Sequence, residues 1–276
     1  MKKILFYISF LLVILLLLSM DCSPKNEKGR ISGGERIEEY YIGDHSSDSR
    51  FVKKEDTFYI VIKGQNKILT YNIVNKELDI IESSTMGNIF SSADGFTIYK
   101  DSFLFAFYGY IVITDDFENY KTYSIPYYDI RDIAYSERED YFIYITSDRK
   151  KLVKIDYDLS NDQFVYNDII EINRSSVFPC ICLYDYFVWM FSRKVDSYNF
   201  YVYIFNLYLL KPSKGEFISI NDYTGYFFGT SEYVKNFIPY DLWYEGDEFL
   251  YILSNGGEKD KLYIEKIKLD DKSFPL

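Results

Sequence analysis

Asp56-Thr57-Phe58-Tyr59-Ile60-Val61-Ile62 is an acidic residue, a spacer, an aromatic ring and a run of apolar positions. The phrase returns as Asp101-Ser102-Phe103-Leu104-Phe105-Ala106-Phe107 and as Asp140-Tyr141-Phe142-Ile143-Tyr144-Ile145. It returns again as Asp185-Tyr186-Phe187-Val188-Trp189-Met190-Phe191 and as Asp247-Glu248-Phe249-Leu250-Tyr251-Ile252-Leu253. The spacings between the Asp residues are 45, 39, 45 and 62, so the last interval carries an insertion of about 20 residues. Side chains on a strand alternate between faces, which puts Phe58, Ile60 and Ile62 on one face and Tyr59 and Val61 on the other. A strand wetted on one side would alternate with polar residues, so these strands must be covered on both sides. They are too short for buried helices and rich in β-branched and aromatic residues.

The surroundings of each phrase repeat as well. A short polar turn leads to a second apolar strand at 68–73, 110–114, 152–156, 201–205 and 262–267. Asn- and Asp-rich turns follow in most copies, then a more polar strand at 77–81, 121–125, 164–172 and 216–220. Another short strand precedes the phrase, as at 130–135 and 177–183. Four antiparallel strands per 40–50 residues, with a buried middle and a wetter edge, resemble the blades of a β-propeller. The resemblance covers residues 36–276 and matches no single propeller family. It implies an all-β ring of five four-stranded blades. The fifth blade lacks its outer strand, and 36–42 has no blade of its own, so this N-terminal strand is expected to close the ring. A sixth, degenerate blade within 222–245 is the alternative count, and a β-sandwich the alternative fold.

Composition agrees. Thirty Tyr and 23 Phe in 276 residues favour strands. Hydrophobic residues at 48% exclude wholesale disorder. A net charge of -11 argues against nucleic acid as the main partner. His45 is the single histidine, which excludes any multi-His metal site.

The N-terminus reads as an address. Lys2 and Lys3 precede an apolar run from Ile4 to Leu18, the layout of an export signal and short for a spanning helix. The run ends in Ser19-Met20-Asp21-Cys22. A hydrophobic stretch stopping at a lone Cys resembles a bacterial lipoprotein signal. That resemblance implies cleavage of residues 1–21, lipidation of Cys22 and location in the cell envelope. Ser19 and Asp21 depart from the usual Leu and small residue at those places. An uncleaved anchor and ordinary secretion are the alternatives. Residues 22–35 are polar and contain Gly, and read as a tether. Cleavage would remove Lys2, Lys3 and Asp21, leaving 29 basic and 41 acidic side chains and a net charge of -12. An anionic bilayer would repel such a domain, so the lipid would have to hold it there.

Candidates for chemistry are sparse. The five repeated Asp residues stand where a tight turn is needed, and turn formation accounts for them. Asp156, Asp158, Ser160 and Asp162 alternate like a calcium loop, but Asn161 replaces its Gly and Asn167 its bidentate Glu, which leaves a polar turn. Cys180 and Cys182 share a strand face and read as small buried hydrophobes. Asn173-Arg174-Ser175 matches a glycosylation acceptor, discounted beside a bacterial signal. No P-loop, dinucleotide or nucleophile-elbow motif is present. No metal or cofactor is expected, and no catalytic residue can be named.

What remains are loops between blades and between second and third strands, the face where propellers often meet ligands. Tyr127, Tyr128, Arg174, Tyr223, Tyr226 and Phe227 are the candidate binding residues, because Tyr and Arg combine apolar bodies with polar tips. The expectation is a membrane-tethered envelope lipoprotein with a non-catalytic binding or scaffolding role, its partner an envelope protein or glycan. A carbohydrate-binding or glycoside-hydrolysing propeller is the alternative, and hydrolysis would need two carboxyl groups near the axis about 5–10 Å apart.

Overall fold

The computed structural model describes residues 30–32, 35–44, 48–125, 130–138, 140–146, 151–158, 160–171, 177–184, 187–193, 200–206, 224–228, 238–244, 249–256, 258 and 260–268. The repeated phrase forms the second strand of each sheet, entered through a hairpin. Strands β3 (Ser49–Lys54) and β4 (Thr57–Ile62) are joined by Glu55 and Asp56, with Glu55 left-handed at φ 54°. Lys100 and Asp101 join β7 (Gly95–Tyr99) to β8 (Ser102–Phe107), with Lys100 at φ 55°. Between β11 (Ile130–Ser136) and β12 (Tyr141–Thr146) the left-handed residue is Asp140, at φ 51°. A left-handed turn residue matches the twist of the paired strands. Asp56, Asp101 and Asp140 thus occupy turns, as expected; Asp185 and Asp247 lie outside the described residues.

The sheets follow chain order. The first is β3-β4-β5-β6, with β5 at Lys67–Asn72 and β6 at Leu78–Glu82. The second is β7-β8-β9-β10, with β9 at Tyr110–Thr114 and β10 at Tyr120–Ser124. The third is β11-β12-β13-β14, with β13 at Lys151–Asp158 and β14 at Gln163–Glu171. In the last, β19 (Pro239–Tyr244), β20 (Phe249–Ser254) and β21 (Leu262–Lys268) are completed by β2 (Glu35–Gly43), which pairs antiparallel with β21. The N-terminal strand therefore closes the ring, hiding edges that would otherwise seek partners.

Where the sequence predicts five or six like blades, four sheets have the uniform four-stranded antiparallel build. The remaining sheet departs from it. Its antiparallel strands β15 (Val177–Tyr184), β16 (Phe187–Arg193), β17 (Phe200–Asn206) and β18 (Thr224–Phe228) carry a fifth strand, β1 (Arg30–Ser32), parallel on the outer edge. Its outer antiparallel strand is 224–228, and the expected strand at 216–220 lies outside the described residues. The described part of 222–245 divides between β18 and β19 and forms no sixth sheet. The first strands of the sheets touch in cyclic order, β3 to β7 to β11 to β15 to β19 and back to β3, around one axis.

The core lies between sheets. Phe58, Ile60 and Ile62 pack with Tyr40, Ile42, Phe51, Tyr251 and Leu253 at the joint of the last and first sheets. Val61, from the opposite face of the same strand, packs with Phe96, Phe103 and Phe105 toward the second. The third sheet meets the second through Leu104, Ile133, Phe142, Tyr144 and Val153. One short helix, α1 (Gly87–Ser92), was not foreseen; it buries Phe90, whose ring lies 5.5 Å from that of Phe105. Phe58 is fully buried, with its ring 5.1 Å from Tyr251 and 5.6 Å from Phe51. It therefore ties the first sheet to the last. Phe58→Ala should cost about 3–5 kcal/mol, read as a lower midpoint in chemical denaturation. An unchanged midpoint would mean that this joint does not limit stability.

Candidate functional site at the axial mouth

At the end of the ring where the first strands begin, charged side chains converge. Asp48 precedes β3, Asp94 precedes β7, Lys63 follows β4, and Arg131 is the second residue of β11. Lys63 Nζ donates to Asp94 Oδ1 at 2.5 Å, and Arg131 donates to the same oxygen at 3.1 Å. The other guanidinium nitrogen of Arg131 bonds Asp48. Asp48 in turn accepts from Arg50 at 2.8 Å. The result is a chain of alternating charge, half-exposed at Lys63 and buried by Arg50.

Below this mouth lies a buried level. Arg50 is 3% exposed and donates to the carbonyls of Ser49, Tyr240 and Arg131 at 2.8, 3.1 and 3.2 Å. Its Nε stands 3.6 Å from Asp132. Asp132 accepts N–H bonds from its neighbour Ile133 and from Ile181 of β15, both at 2.8 Å. Asp241 repeats the arrangement, accepting from Leu242 and from Phe51 of β3, both at 2.8 Å. Each carboxylate therefore bridges its own strand to a neighbouring sheet's first strand. Register shifts at 130–132 and 239–241 accompany the two Asp positions. Between β7 and β11 the contact is backbone to backbone: a Cβ on Gly95 would lie 2.9 Å from the nitrogen of Ile133.

Burial sets the protonation behaviour. Burial pushes the Asp132 carboxyl up to about 7, against the pull of Arg50 and the two N–H donors. Asp241 is raised well above the usual carboxylate range, first by burial and then by the charge of Asp132. Burial would raise Asp48 too, but Arg50 and Arg131 outweigh it and hold the group below its ordinary value.

On the same face, the turn Phe107-Tyr108-Gly109-Tyr110 joins β8 to β9, with Gly109 at φ 81°. Tyr108 is 68% exposed and Tyr110 47%. The Asp94 N–H donates to the Ala106 carbonyl beside this turn at 3.0 Å, and the Ile125 N–H to the Gly109 carbonyl at 3.1 Å. The turn is thus anchored between the charged mouth and Ile125.

Of the candidate residues, Tyr127, Tyr128, Arg174 and Tyr223 lie outside the described residues, as does Cys22. Tyr226 and Phe227, expected in a loop, are in strand β18, where Tyr226 pairs with Val202 and Phe227 with Tyr201. The long insertion hid this strand. Sequence reasoning missed the axial Asp residues and the Tyr108 turn. The signal for the first was available: in Asp132-Ile133-Ala134-Tyr135 and Asp241-Leu242-Trp243-Tyr244 an acid opens a run of apolar and aromatic residues within a strand. In the 156–162 segment Asp156 and Asp158 end strand β13, and at the hairpin that follows Asp158 accepts the Ser160 N–H at 2.9 Å and the Asn161 side-chain amide at 2.7 Å. Among the described residues, no group of three or more His, Cys, Asp or Glu side chains could hold a metal ion.

No protein-family model matches the chain, and no curated protein matches it. Among solved structures, the chain resembles the glutaminyl cyclase of Myxococcus xanthus with a TM-score of 0.57 and 10% identity, over 88% of this chain and 99% of that one. It also resembles a luciferin-regenerating enzyme (TM-score 0.48, 9% identity, 85% of this chain and 95% of that one). A third is the Cps50 (Swd1) β-propeller domain of Myceliophteria thermophila (TM-score 0.41, 10% identity, 76% of this chain and 66% of that one). Two of these neighbours are named as enzymes, and at such identity the likeness to the first speaks for the fold alone. Chain, topology and likeness agree on a propeller of four-stranded antiparallel blades.

The raised carboxyl of Asp132 makes a pH-dependent contribution to stability. Unfolded, Asp titrates near 3.9, so between about pH 4 and 7 the folded chain binds the extra proton. That contribution is full below pH 4 and lost as pH rises through about 7. Asp132→Asn cannot titrate, and its amide turns a donor toward one backbone N–H, costing about 1–3 kcal/mol. Its midpoint deficit relative to the parent should be larger at pH 5 than at pH 8. An equal deficit at both values would rule out this proton linkage.

Proposed function

We propose that this chain is a cell-envelope lipoprotein, anchored through Cys22, that binds a partner without catalysis on the axial face of its propeller. The β15–β18 sheet with its added strand would serve as a fifth blade. The observation that carries the non-catalytic reading is the bonding of Asp132 and Asp241. A propeller glycosidase would place its acid–base carboxyl groups at the axis. Among the described residues, the axial carboxyl groups of Asp48 and Asp94 are ion-paired with Arg50, Arg131 and Lys63, and those of Asp132 and Asp241 are 1% and 2% exposed, with both oxygens of each accepting backbone N–H bonds from two strands. Groups held in this way stitch sheets together and face no substrate.

The binding surface is the region between Arg131 and the Phe107–Tyr110 turn. Tyr108 there offers a rigid apolar body with a hydroxyl tip, beside half-exposed charges of both signs.

In-cell crosslinking of the tagged protein, read by mass spectrometry, should recover one reproducible protein partner. Tyr108→Ala combined with Tyr110→Ala should lower that yield at least tenfold without changing the melting temperature. Glycan fragments recovered without a protein would favour a carbohydrate-binding propeller instead. Cys22→Ala should move the chain out of the membrane fraction; continued retention would overturn the lipid anchor in favour of an uncleaved segment.

A further inference from the structure

The stretch between Cys22 and the ring is not all tether. Arg30, Ile31 and Ser32 pair in parallel with Gly225, Tyr226 and Phe227 on the outer edge of β18. Only positions 33 and 34 separate that strand from β2, which begins at Glu35 and completes the next sheet. One short N-terminal segment therefore lies across the outer edges of two neighbouring sheets.

We propose that Arg30–Ser32 is a strap that turns the ring on its edge at the membrane, with the β18 and β2 edges toward the bilayer and the β7–β10 blade away from it. This rests on the reading of Cys22 as the anchor. The lengths decide the matter. From Cys22 to Arg30 is eight residues, which span at most about 29 Å when fully extended. With the strap undocked, the leash would run thirteen residues to Glu35 and reach about 47 Å. A compact domain of this size is about 45 Å across, by the scaling of radius of gyration with chain length. A docked leash is therefore shorter than the ring is wide, and an undocked one matches it. Only the docked state restricts which side of the ring can meet the membrane.

The cyclic order fixes what lies on the far side. The β15 sheet touches those of β11 and β19, and the β19 sheet touches those of β15 and β3. The remaining blade, β7–β10, sits opposite the strap. It carries Tyr108 and Tyr110, so the proposed binding turn belongs to the blade held farthest from the lipid. The net charge of -12 left after cleavage works the same way, since an anionic leaflet repels the body of the domain.

The test is quenching of a fluorophore by nitroxide-headgroup lipid in vesicles carrying the lipidated protein, in a Cys180→Ala, Cys182→Ala background. Labels go at two exposed positions, Ile37→Cys beside the strap and Tyr120→Cys on β10. A parallel form replaces residues 1–22 with a hexahistidine tag held on nickel-chelating lipid, so the anchor does not depend on lipidation. In both forms, quenching at 37 should exceed that at 120 at least threefold. Ile31→Pro, which breaks the strap pairing, should bring the two within twofold while circular dichroism and melting temperature stay unchanged. Equal quenching in the nickel-held form without the proline would overturn the strap. The expected difference in the nickel-held form, with no membrane binding by the natural chain, would overturn the Cys22 anchor and leave the strap standing.

Discussion

A ring of sheets leaves the inward edge of every first strand without a ladder partner, because neighbouring first strands diverge. The N–H groups on that edge are buried and must still be bonded. Asp132 and Asp241 meet this demand with their side chains. Each accepts one N–H from its own strand and one from the first strand of another sheet, Ile181 in one case and Phe51 in the other. Two buried carboxyl groups are costly, and Arg50 sits between the strands that carry them, 3.6 Å from Asp132 and bonded to the carbonyls of Tyr240 and Arg131. Arg50 thus offsets the acids and bonds carbonyls that would otherwise also be orphaned. Closure and axial charge are one problem with one solution.

The other joints solve closure differently. Gly95 lets β7 approach the Asp132–Ile133 backbone so closely that no side chain fits. Between the first and second sheets, α1 inserts Phe90 against Phe105 and fills space that strands alone would leave open. The two ends of the chain meet inside the last sheet, where β2 lies beside β21. That seam relies on β2 pairing with β21, and the Phe51, Phe58 and Tyr251 rings hold the last sheet against the first. The mouth inherits its charge from this arrangement: Asp48, Asp94 and Arg131 lie at the entries of three first strands.

The repeat was legible because it is written in apolar periodicity. Phe58, Ile60 and Ile62 divide from Val61 between two cores as alternation requires. The closing role of the N-terminal strand followed from counting strands. The outer strand of the fourth repeat was not legible, because the long Asp185–Asp247 interval breaks the spacing that marks the register elsewhere. The axial acids went unread for a different reason. An Asp within an apolar strand carries no periodicity, and its partner Ile181 is 49 residues from Asp132. Only the closed ring brings them together. On the face where the first strands begin, the exposed aromatics among the described residues are Tyr108 and Tyr110. Their turn is short and apolar-flanked, and reads from sequence as part of the buried strand pair.

The outer edges show the same economy as the axis. Strand β6 leaves Leu78 and Ile80 exposed on its edge, interrupted by Asp79 and ended by Glu82. Strand β10 carries Lys121 and an exposed Tyr120. Short strands with charges on the edge discourage pairing with another chain. Strand β18, Thr224–Phe228, has no charged residue in its five positions and ends in three consecutive aromatics. Such an edge would be the most adhesive of the three, and it is the one covered by the chain's own β1. A covering strand there needs little sequence of its own, since backbone bonds carry the pairing. That is consistent with three residues sufficing. The N-terminal segment thus protects one edge and completes the next.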